Sequence, residues 1–455
     1  MCRAVFCQLI FCIFSEFVTP GKMPVPGLYK GAESVTILSY LEKEASMQNW
    51  KKTVALFLTG QMISLFGSSL VQYALMWSVT LHSKSGAMMT IAILCGFLPM
   101  FFLAPFAGVW ADRYPRKRLI ILADGVIALA ALLLAVLMVL GYDGLWLIFA
   151  FMAVRALGSA VHTPAISAVL PQIVPPEALT RVTGINSSIQ AAVLLVSPMV
   201  SGALLTLTSL QVILLIDVFT AALAIAILIM FIPIPNHDKA NTAGNTGYFA
   251  DMKDGFAYIA GHRYIKFFFL FSLAFMLMAA PVAFLTPLQV TRSFGADYWR
   301  LTAIEVAFSI GMMVGGALIA TLGGFKNRMH TMGTATLLMG VCTAALGLVS
   351  NFFVYLSFML AAGFCMPYFN TPATVIIQER VEGDYLGRIF SVMGMISSVG
   401  MPASMLVFGP LADTVPIETL LIVTGVAIVV IGVISLMSRT MLEAGRPRPK
   451  PEGAA

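Results

Sequence analysis

The sequence has 455 residues, of which 59% are hydrophobic and only 11% are charged, whereas a soluble domain carries about 25% charged residues. A water-soluble fold cannot hide so much apolar surface, and the composition therefore predicts a membrane protein. The formal net charge of +6 does not indicate a nucleic-acid partner, because the basic residues stand in short clusters between apolar runs rather than along one face.

The first 46 residues precede the first long apolar run. Their apolar stretch, residues 4–14, is too short to cross a bilayer of roughly 30 Å, although it could be a weak signal peptide. The following segment, Met47-Gln-Asn-Trp-Lys-Lys, resembles an ordinary start with a basic cap before an apolar run. We therefore predict that residues 1–46 are an extension outside the fold.

Twelve stretches of about 20 or more mostly apolar residues follow, and each is long enough for a membrane-spanning helix. The predicted spans are residues 53–81, 86–110, 118–140, 144–170, 183–208, 210–232, 265–290, 301–322, 329–349, 352–377, 388–411 and 417–437. The chain is therefore expected to be an all-α membrane protein that lies in the lipid bilayer as a monomer.

Lysine and arginine are concentrated in the loops after the even-numbered spans, which is the distribution typical of cytoplasmic loops. Lys51, Lys52 and the basic tail fall on the same side. The loops after odd-numbered spans hold only Lys84, Arg292 and Arg300. This pattern predicts an inner-membrane protein with both termini in the cytoplasm.

The longest internal polar break divides the spans six plus six, and its later part, residues 251–261, alternates apolar and charged residues at helical spacing. A short amphipathic helix on the inner membrane surface is expected there. The predicted organisation is a first six-helix bundle at 47–232, a cytoplasmic linker at 233–263, a second bundle at 264–438 and a cytoplasmic tail at 439–455.

The two halves also repeat each other. His162-Thr-Pro-Ala in the first half corresponds to Asn370-Thr-Pro-Ala in the second, 208 residues later. Arg181 and Arg388 close two further corresponding segments, 207 residues apart. Matches that keep nearly one register predict a duplicated six-helix unit, as in many transporters.

The loop after the second span resembles the motif G-x-x-x-D-R-x-G-R-K/R of the major facilitator superfamily, with Pro115 where the family usually has glycine. A carboxylate beside basic residues can engage the positive N-terminus of a neighbouring helix, and so latch two halves together. The basic residues could equally serve only as membrane anchors. The predicted latch consists of Gly108, Asp112, Arg113, Arg116, Lys117 and Arg118, with Asp124 completing the charge cluster.

Two further segments resemble motifs of this superfamily. Arg155-Ala-Leu-Gly158 is similar to its R-x-x-q-G motif with one residue fewer, and the segment from Ser197 to Gly202, which includes Pro198, is a degenerate form of an exporter motif. Proline and small residues in a membrane helix more often serve only bending and close packing.

From about residue 47 to 438 the chain resembles the macrolide-efflux branch of the superfamily's drug exporters, in segments that include Gly96-Phe-Leu-Pro99 and Tyr385-Leu-Gly-Arg388. The resemblance implies two six-helix bundles in the major facilitator fold, and export of hydrophobic antibiotics driven by protons. Relatives with these motifs also export siderophores and other lipophilic compounds.

A charge at the centre of a membrane helix costs about 2.5 to 3.5 kcal/mol, so each one requires a reason. Arg155, near mid-membrane, could pair with substrate or with a carboxylate, or could be purely structural. Glu305 could carry a proton if it faces the cavity, or could simply be solvated at the outer boundary. Asp217 more plausibly has a structural partner inside the first bundle.

Four uncharged polar residues at membrane depth could hydrogen-bond a drug, or could bond between helices. They are Gln61, Gln72, Asn186 and Gln190. The 28 methionines and 32 phenylalanines are compatible with a deformable apolar cavity, although most must simply face lipid or other helices.

No nucleotide-binding loop and no H-E-x-x-H motif is present, so a gradient must supply the energy. No pair of the six cysteines has zinc or redox spacing, and no metal or cofactor is expected. The leading hypothesis is a proton antiporter for small hydrophobic molecules. A siderophore or nutrient permease is the alternative, and a membrane acyltransferase a remote one, because the histidines have no acid partner in a recognisable motif.

Overall fold

The computed structural model describes residues 50–232 and 248–446 of the chain. The predicted N-terminal extension, most of the linker and the end of the tail lie outside the described residues. The side chains of Asp112 and Arg113 also lie outside them, although the backbone of both belongs to a helix.

Twelve helices of the described ranges are long and apolar enough to cross a membrane, as predicted. Those of the first half are α1 (Trp50–Ser83), α2 (Gly86–Arg113), α3 (Arg116–Val139), α4 (Leu145–Ile173), α5 (Pro176–Leu207) and α6 (Leu210–Phe231). The linker helix is α7 (Tyr248–Gly261). The second half has α8 (Arg263–Phe284) with α9 (Thr286–Ser293), α10 (Tyr298–Leu322), α11 (Arg328–Leu346), α12 (Phe352–Arg380), α13 (Gly383–Leu411), α14 (Ile417–Met437) and the short α15 (Arg439–Ala444).

Most helix ends lie within three residues of the predicted ones, but α13 begins at Gly383 rather than at residue 388, and two further spans differ more. Helix α5 begins at Pro176 rather than at residue 183, because proline is favoured in the first turn, where no amide partner is needed. Its first turns carry Glu177 and Arg181, which the hydropathy count excluded. The predicted span 265–290 is broken at Leu285, after which the separate helix α9 begins at Thr286 with Pro287 in its first turn.

The helices group into two bundles. Within the first, α1 packs against α5 and α6, α2 against α4, and α3 against α4 and α6; the second bundle repeats these contacts. The repeat segments occupy equivalent places, since α4 and α12 each have 29 residues and each contains the proline of its Thr-Pro-Ala segment. The described residues therefore form the all-α, two-bundle architecture that was expected.

The bundle ends define two membrane faces. The basic face carries the α2–α3, α4–α5 and α12–α13 connections and the start of α1. The opposite face carries the α1–α2, α9–α10 and α13–α14 connections. The bundles meet mainly through α2 with α13 and α5 with α10.

Linker helix α7 was predicted over residues 251–261 and is confirmed, beginning three residues earlier. It packs on α13, where Tyr258 stacks on Tyr385 with ring centroids 4.4 Å apart. A Cβ on Gly255 would stand 3.3 Å from the backbone oxygen of Arg388, so the two helices are in close contact.

Candidate functional site

Arg155 and Asp217 lie together in the interior of the first bundle. Both are buried, on α4 and α6 respectively, and their charges interact. Ser68 of α1 joins them, since its hydroxyl donates to Oδ1 of Asp217 at 3.2 Å and its carbonyl accepts from Nη2 of Arg155. The other polar atoms, Nη1 of Arg155 and Oδ2 of Asp217, are buried without a hydrogen-bond partner in the described part of the chain.

Asp124 occupies a different place from the one expected, because it points into the first bundle rather than joining the basic loop cluster. Its Oδ1 lies 3.1 Å from Nε2 of His162 on α4, and the hydroxyl of Ser64 is 3.5 Å away. The ring is close enough for an ion pair but is not oriented for a hydrogen bond. Asp124 is two helical turns from the basic residues that begin α3, and its side chain is only 5% exposed.

His162 is the residue that sequence reasoning missed, since the histidines were judged to lack an acid partner. It lies seven residues after Arg155, which places both on one face of α4. That spacing was the available signal. The partner, Asp124, is 38 residues away in the chain, and its proximity depends on how α3 crosses α4.

Arg116 and Lys117 of the predicted latch bind carbonyls near helix ends of the first bundle. Arg116 donates to the carbonyl oxygens of Ala111 at 3.2 Å and of Ala168 at 2.6 Å. Lys117 donates to that of Ile232 at 2.8 Å. A cation at a helix C-terminus is stabilised by the helix dipole, so these contacts fasten α2, α4 and α6 to α3.

For the other predicted latch residues the structure describes no contact between the two bundles. Gly108 has open space where a Cβ would stand, and Arg118 is exposed. The side chains of Asp112 and Arg113 lie outside the described residues. The latch between the halves therefore stays a prediction.

Glu305 lies on α10, seven residues after the helix begins at Tyr298, which is about 10 Å along the axis at 1.5 Å per residue. Its side chain is half-buried and interacts electrostatically with the phenol of Tyr73 on α1. No hydrogen bond of this carboxyl group occurs within the described ranges. Glu305 thus faces the first bundle from the second.

The four uncharged polar candidates do not form one group. Gln190 is exposed on α5, and Asn186 and Gln72 are half-buried. The side-chain oxygen of Gln61 is buried and has no hydrogen-bond partner among the described residues. The four residues stay candidates for substrate contact.

A mostly apolar cavity of about 230 Å³ lies between the bundles. It is bounded by α5 of the first bundle and by α10 and α12 of the second. Its lining residues are Ala191, Leu194, Leu195, Ser309, Met312, Met313, Met366, Pro367 and Asn370. Three methionines in one wall provide a surface that can adapt to ligands of different shape.

The bundles touch closely near the opposite face. A Cβ on Gly202 of α5 would stand 1.9 Å from Oγ1 of Thr302 on α10, and one on Gly86 of α2 would stand 2.2 Å from the carbonyl oxygen of Gly409 on α13. Pro198 is buried one turn before Gly202 in the same helix. The proline and glycine predicted as a bend motif therefore lie where α5 packs against α10.

Asp413, in the loop after α13, links the bundles at this face. It accepts hydrogen bonds from the amides of Gly86 and Ala87 at 2.7 and 3.0 Å, and from the hydroxyl of Ser85 at 2.7 Å. Arg292 donates to it at 2.9 Å. Partial burial alone would raise the pKa of Asp413, but these hydrogen bonds together hold it below its usual value.

No group of three or more metal-binding side chains occurs in residues 50–232 and 248–446. The arrangement instead consists of buried charges inside one bundle, a carboxyl group facing it from the other, and close contact between the bundles at the face opposite the basic one. Two helical bundles that touch at one membrane face, with charged groups at membrane depth, are typical of secondary transporters in which the bundles move against each other.

Comparison with known proteins identifies the family. The model of the Major Facilitator Superfamily matches residues 54–401 and 291–455, and the chain belongs to this superfamily. Macrolide efflux protein A of Streptococcus pyogenes is 29% identical over 391 residues, covering 86% of this chain and 96% of that protein. Its namesake in Enterococcus faecalis is 30% identical over 318 residues, covering 70% and 98%.

Solved structures show the same fold. The crystal structure of a bacterial homologue of the human lysosomal transporter Spinster matches with a TM-score of 0.65 at 14% identity, covering 88% of this chain and 99% of that one. As a member of the Major Facilitator Superfamily with twelve helices long and apolar enough to cross a membrane in its described part, the chain is a multi-pass membrane transporter.

Proposed function

We propose that this protein exports hydrophobic small molecules of the macrolide type across the bacterial inner membrane, in exchange for protons. The observation that carries the proposal is the similarity to macrolide efflux protein A along 96% of that protein's length. The deformable methionine-lined cavity between the bundles suits bulky apolar ligands.

We infer that the basic face is cytoplasmic and that both termini lie there. Lysine and arginine in short loops favour the cytoplasmic side, and the opposite face has few of them. With this orientation the close contacts at Gly86, Gly202 and Asp413 shut the bundles towards the outside. Such a state would load substrate from the cell.

The antiport part of the proposal assigns proton carriage to Glu305. The carboxyl group faces the first bundle, has no hydrogen bond among the described residues, and is a membrane-embedded acid, which is by default a functional residue. Protonation would remove the charge of Glu305. The free-energy difference between the state with the bundles together and the state with them apart would then change.

A susceptibility panel tests the function. The chain is expressed in a pump-deficient bacterium, and growth inhibition by macrolides is compared with inhibition by other lipophilic drugs and with siderophore-dependent growth. We expect resistance to macrolides, and we expect the amount of labelled macrolide inside the cells to rise when the proton gradient is collapsed with an ionophore. Resistance to no macrolide, at normal membrane levels of the protein, would contradict the proposal.

Direction and coupling are tested in everted vesicles. We expect vesicles energised to be acid inside to accumulate radiolabelled erythromycin, and the Glu305→Gln variant to lose the pH dependence of this uptake. Glu177→Gln, an exposed acid in the first turn of α5, is the matched control and should behave like the wild type. Accumulation only without energisation would instead favour the permease alternative.

A further inference from the structure

The interior of the first bundle holds a continuous polar strip contributed by four helices. Asp124 and His162 lie 3.1 Å apart at one end, and Arg155 and Asp217 interact at the other. Helix α1 connects the two ends, because its hydroxyls at positions 64 and 68 each lie against one of the carboxyl groups.

The strip extends along the membrane normal. Asp217 is seven residues from the end of α6 at the opposite face, about 10 Å, and Asp124 is eight residues from the end of α3 at the basic face, about 12 Å. Gly158 brings α3 and α4 together between them, since a Cβ there would stand 2.6 Å from a side-chain carbon of Ile127. The strip thus contains ionisable groups in both halves of the bilayer.

The charges of the strip do not balance without a proton. It contains two carboxyl groups and one permanently charged group, the guanidinium of Arg155. The remaining member, His162, can be neutral or cationic. An unpaired charge at membrane depth costs about 3 kcal/mol, so binding one proton makes the strip neutral and losing it leaves one carboxylate without a counter-ion.

No other charged side chain in the described part of α1 to α6 lies deep enough to serve as the counter-ion of the second carboxylate. The remaining acidic, basic and histidine residues of α1 to α6 lie within about two turns of the helix ends, at the membrane faces. They are Lys51, Lys52, His82, Asp112, Arg113, Arg116, Lys117, Arg118, Glu177 and Arg181. Of these, Arg116 and Lys117 already bind helix-end carbonyls.

The exposures of the pair show how a proton could reach it. The side chain of His162 is 19% exposed, whereas that of Asp124 is 5% exposed. The imidazole is therefore the accessible member, and the carboxylate behind it is the fixed counter-charge. Buried atoms of Arg155 and Asp217 that lack partners leave capacity for a further hydrogen bond deeper in the strip.

We propose that His162 and Asp124 form a proton-binding site of the first bundle, distinct from Glu305, whose occupancy couples proton movement to the position of α4 against α3. A proton added to the free ring nitrogen gives an imidazolium paired with the Asp124 carboxylate. Its release towards the basic face restores the neutral ring and leaves the carboxylate unpaired. This inference rests on proton antiport in the proposed function.

The test uses the full-length protein in liposomes and records erythromycin-driven proton movement with a trapped pH-sensitive dye. We expect His162→Asn and Asp124→Asn each to reduce the proton flux per erythromycin transported by about tenfold or more, while erythromycin binding is retained. The double variant should be no worse than either single one. His82→Asn, a histidine at the far end of α1, is the matched control and should leave the flux unchanged.

Two further variants guard against misfolding. His162→Arg supplies a permanent charge to Asp124 and should give a stable protein whose transport keeps only the pH dependence that comes from Glu305. Asp124→Glu keeps the acid and should retain coupling. Normal drug-driven proton flux with an unchanged pH profile in His162→Asn and His162→Arg would overturn the inference. Absence of such flux in the wild type would instead refute the antiport of the proposed function.

Discussion

Arg155 places a permanent charge about 15 Å from the end of α4, at a depth where an unpaired charge is unfavourable in free energy. Its charge is compensated by Asp217 and by the carbonyl of Ser68. Removing one member of a buried ion pair leaves the other uncompensated, whereas removing both leaves only a cavity with polar walls.

We therefore expect Arg155→Met to destabilise the detergent-solubilised protein by about 3 kcal/mol or more, and addition of Asp217→Asn to restore part of that loss. Melting temperatures of the purified variants, with exposed Arg439→Met as control, measure both effects. A double variant that melts as early as Arg155→Met alone would show that the two charges do not compensate each other.

The sequence identifies such residues individually but not in pairs. Arg155, Asp217 and Glu305 stand out because charges are rare inside apolar spans, and the structure places all three in the interior or between the bundles. The pairing of Asp124 with His162 could not be derived, because it depends on the crossing of α3 and α4 at Gly158. Hydropathy gives the position of a residue along a helix but not the neighbour it faces.

At the scale of helices, glycine allows α2 and α13 to touch at the opposite face. The Cβ that alanine would add at Gly86 meets a backbone oxygen, which cannot rotate away as a side chain could. If this contact opens during transport, the added methyl group raises the energy of the closed state alone and shifts the population towards the open state.

We expect Gly86→Ala to expose residues that the contact covers. Thr90, which is buried and donates to the carbonyl of Met405 at 3.0 Å, is replaced by cysteine as the reporter, and maleimide labelling is followed over time. Labelling should be faster in Gly86→Ala than in Gly125→Ala, where the added Cβ meets open space. Equal rates would mean that this contact does not limit opening.

The lowered pKa of Asp413 determines how the contact between α2 and the end of α13 responds to pH. Its pKa is lowered in the closed state, so the stabilisation is fully present above the ordinary carboxyl value of about 4 and is lost only as pH falls through the lowered pKa. Once the labelling rate is divided by the thiolate fraction at each pH, labelling of the same reporter should therefore be constant between pH 5 and pH 8. Asp413→Asn should accelerate labelling throughout that range, and acceleration only at low pH would contradict the assignment.

Helix positions were predictable because twelve apolar runs of sufficient length leave little choice of element. The misplaced boundaries have local causes. The first turns of α5 are polar, so a hydropathy count does not include them in the span. The helix breaks at Leu285 because of a nearby proline, which a hydropathy count does not treat as a break. The contacts between helices that close one face could not be read from the sequence, since they depend on glycines on helices far apart in the chain.

For the whole molecule, alternating access requires the close contacts at the opposite face to break once in each cycle, while contacts inside each bundle persist. Ser85 and Asp413 belong to different bundles and their side chains are 2.7 Å apart. Gly60 and Ile227 belong to the same bundle, with 3.5 Å between the Cβ expected at position 60 and the isoleucine side chain. A crosslink at the first pair therefore restrains movement between the bundles, whereas one at the second pair restrains only movement within the first bundle.

We expect a disulfide between cysteines placed at positions 85 and 413, in a background lacking the native cysteines, to stop erythromycin transport, and reduction to restore it. A disulfide at positions 60 and 227 should leave transport intact, because α1 and α6 move as one body. Uptake by everted vesicles before and after reductant measures both. Transport that continues through a fully formed 85–413 crosslink would mean that the bundles do not part at this face, and would exclude rocking about the central cleft as the mechanism.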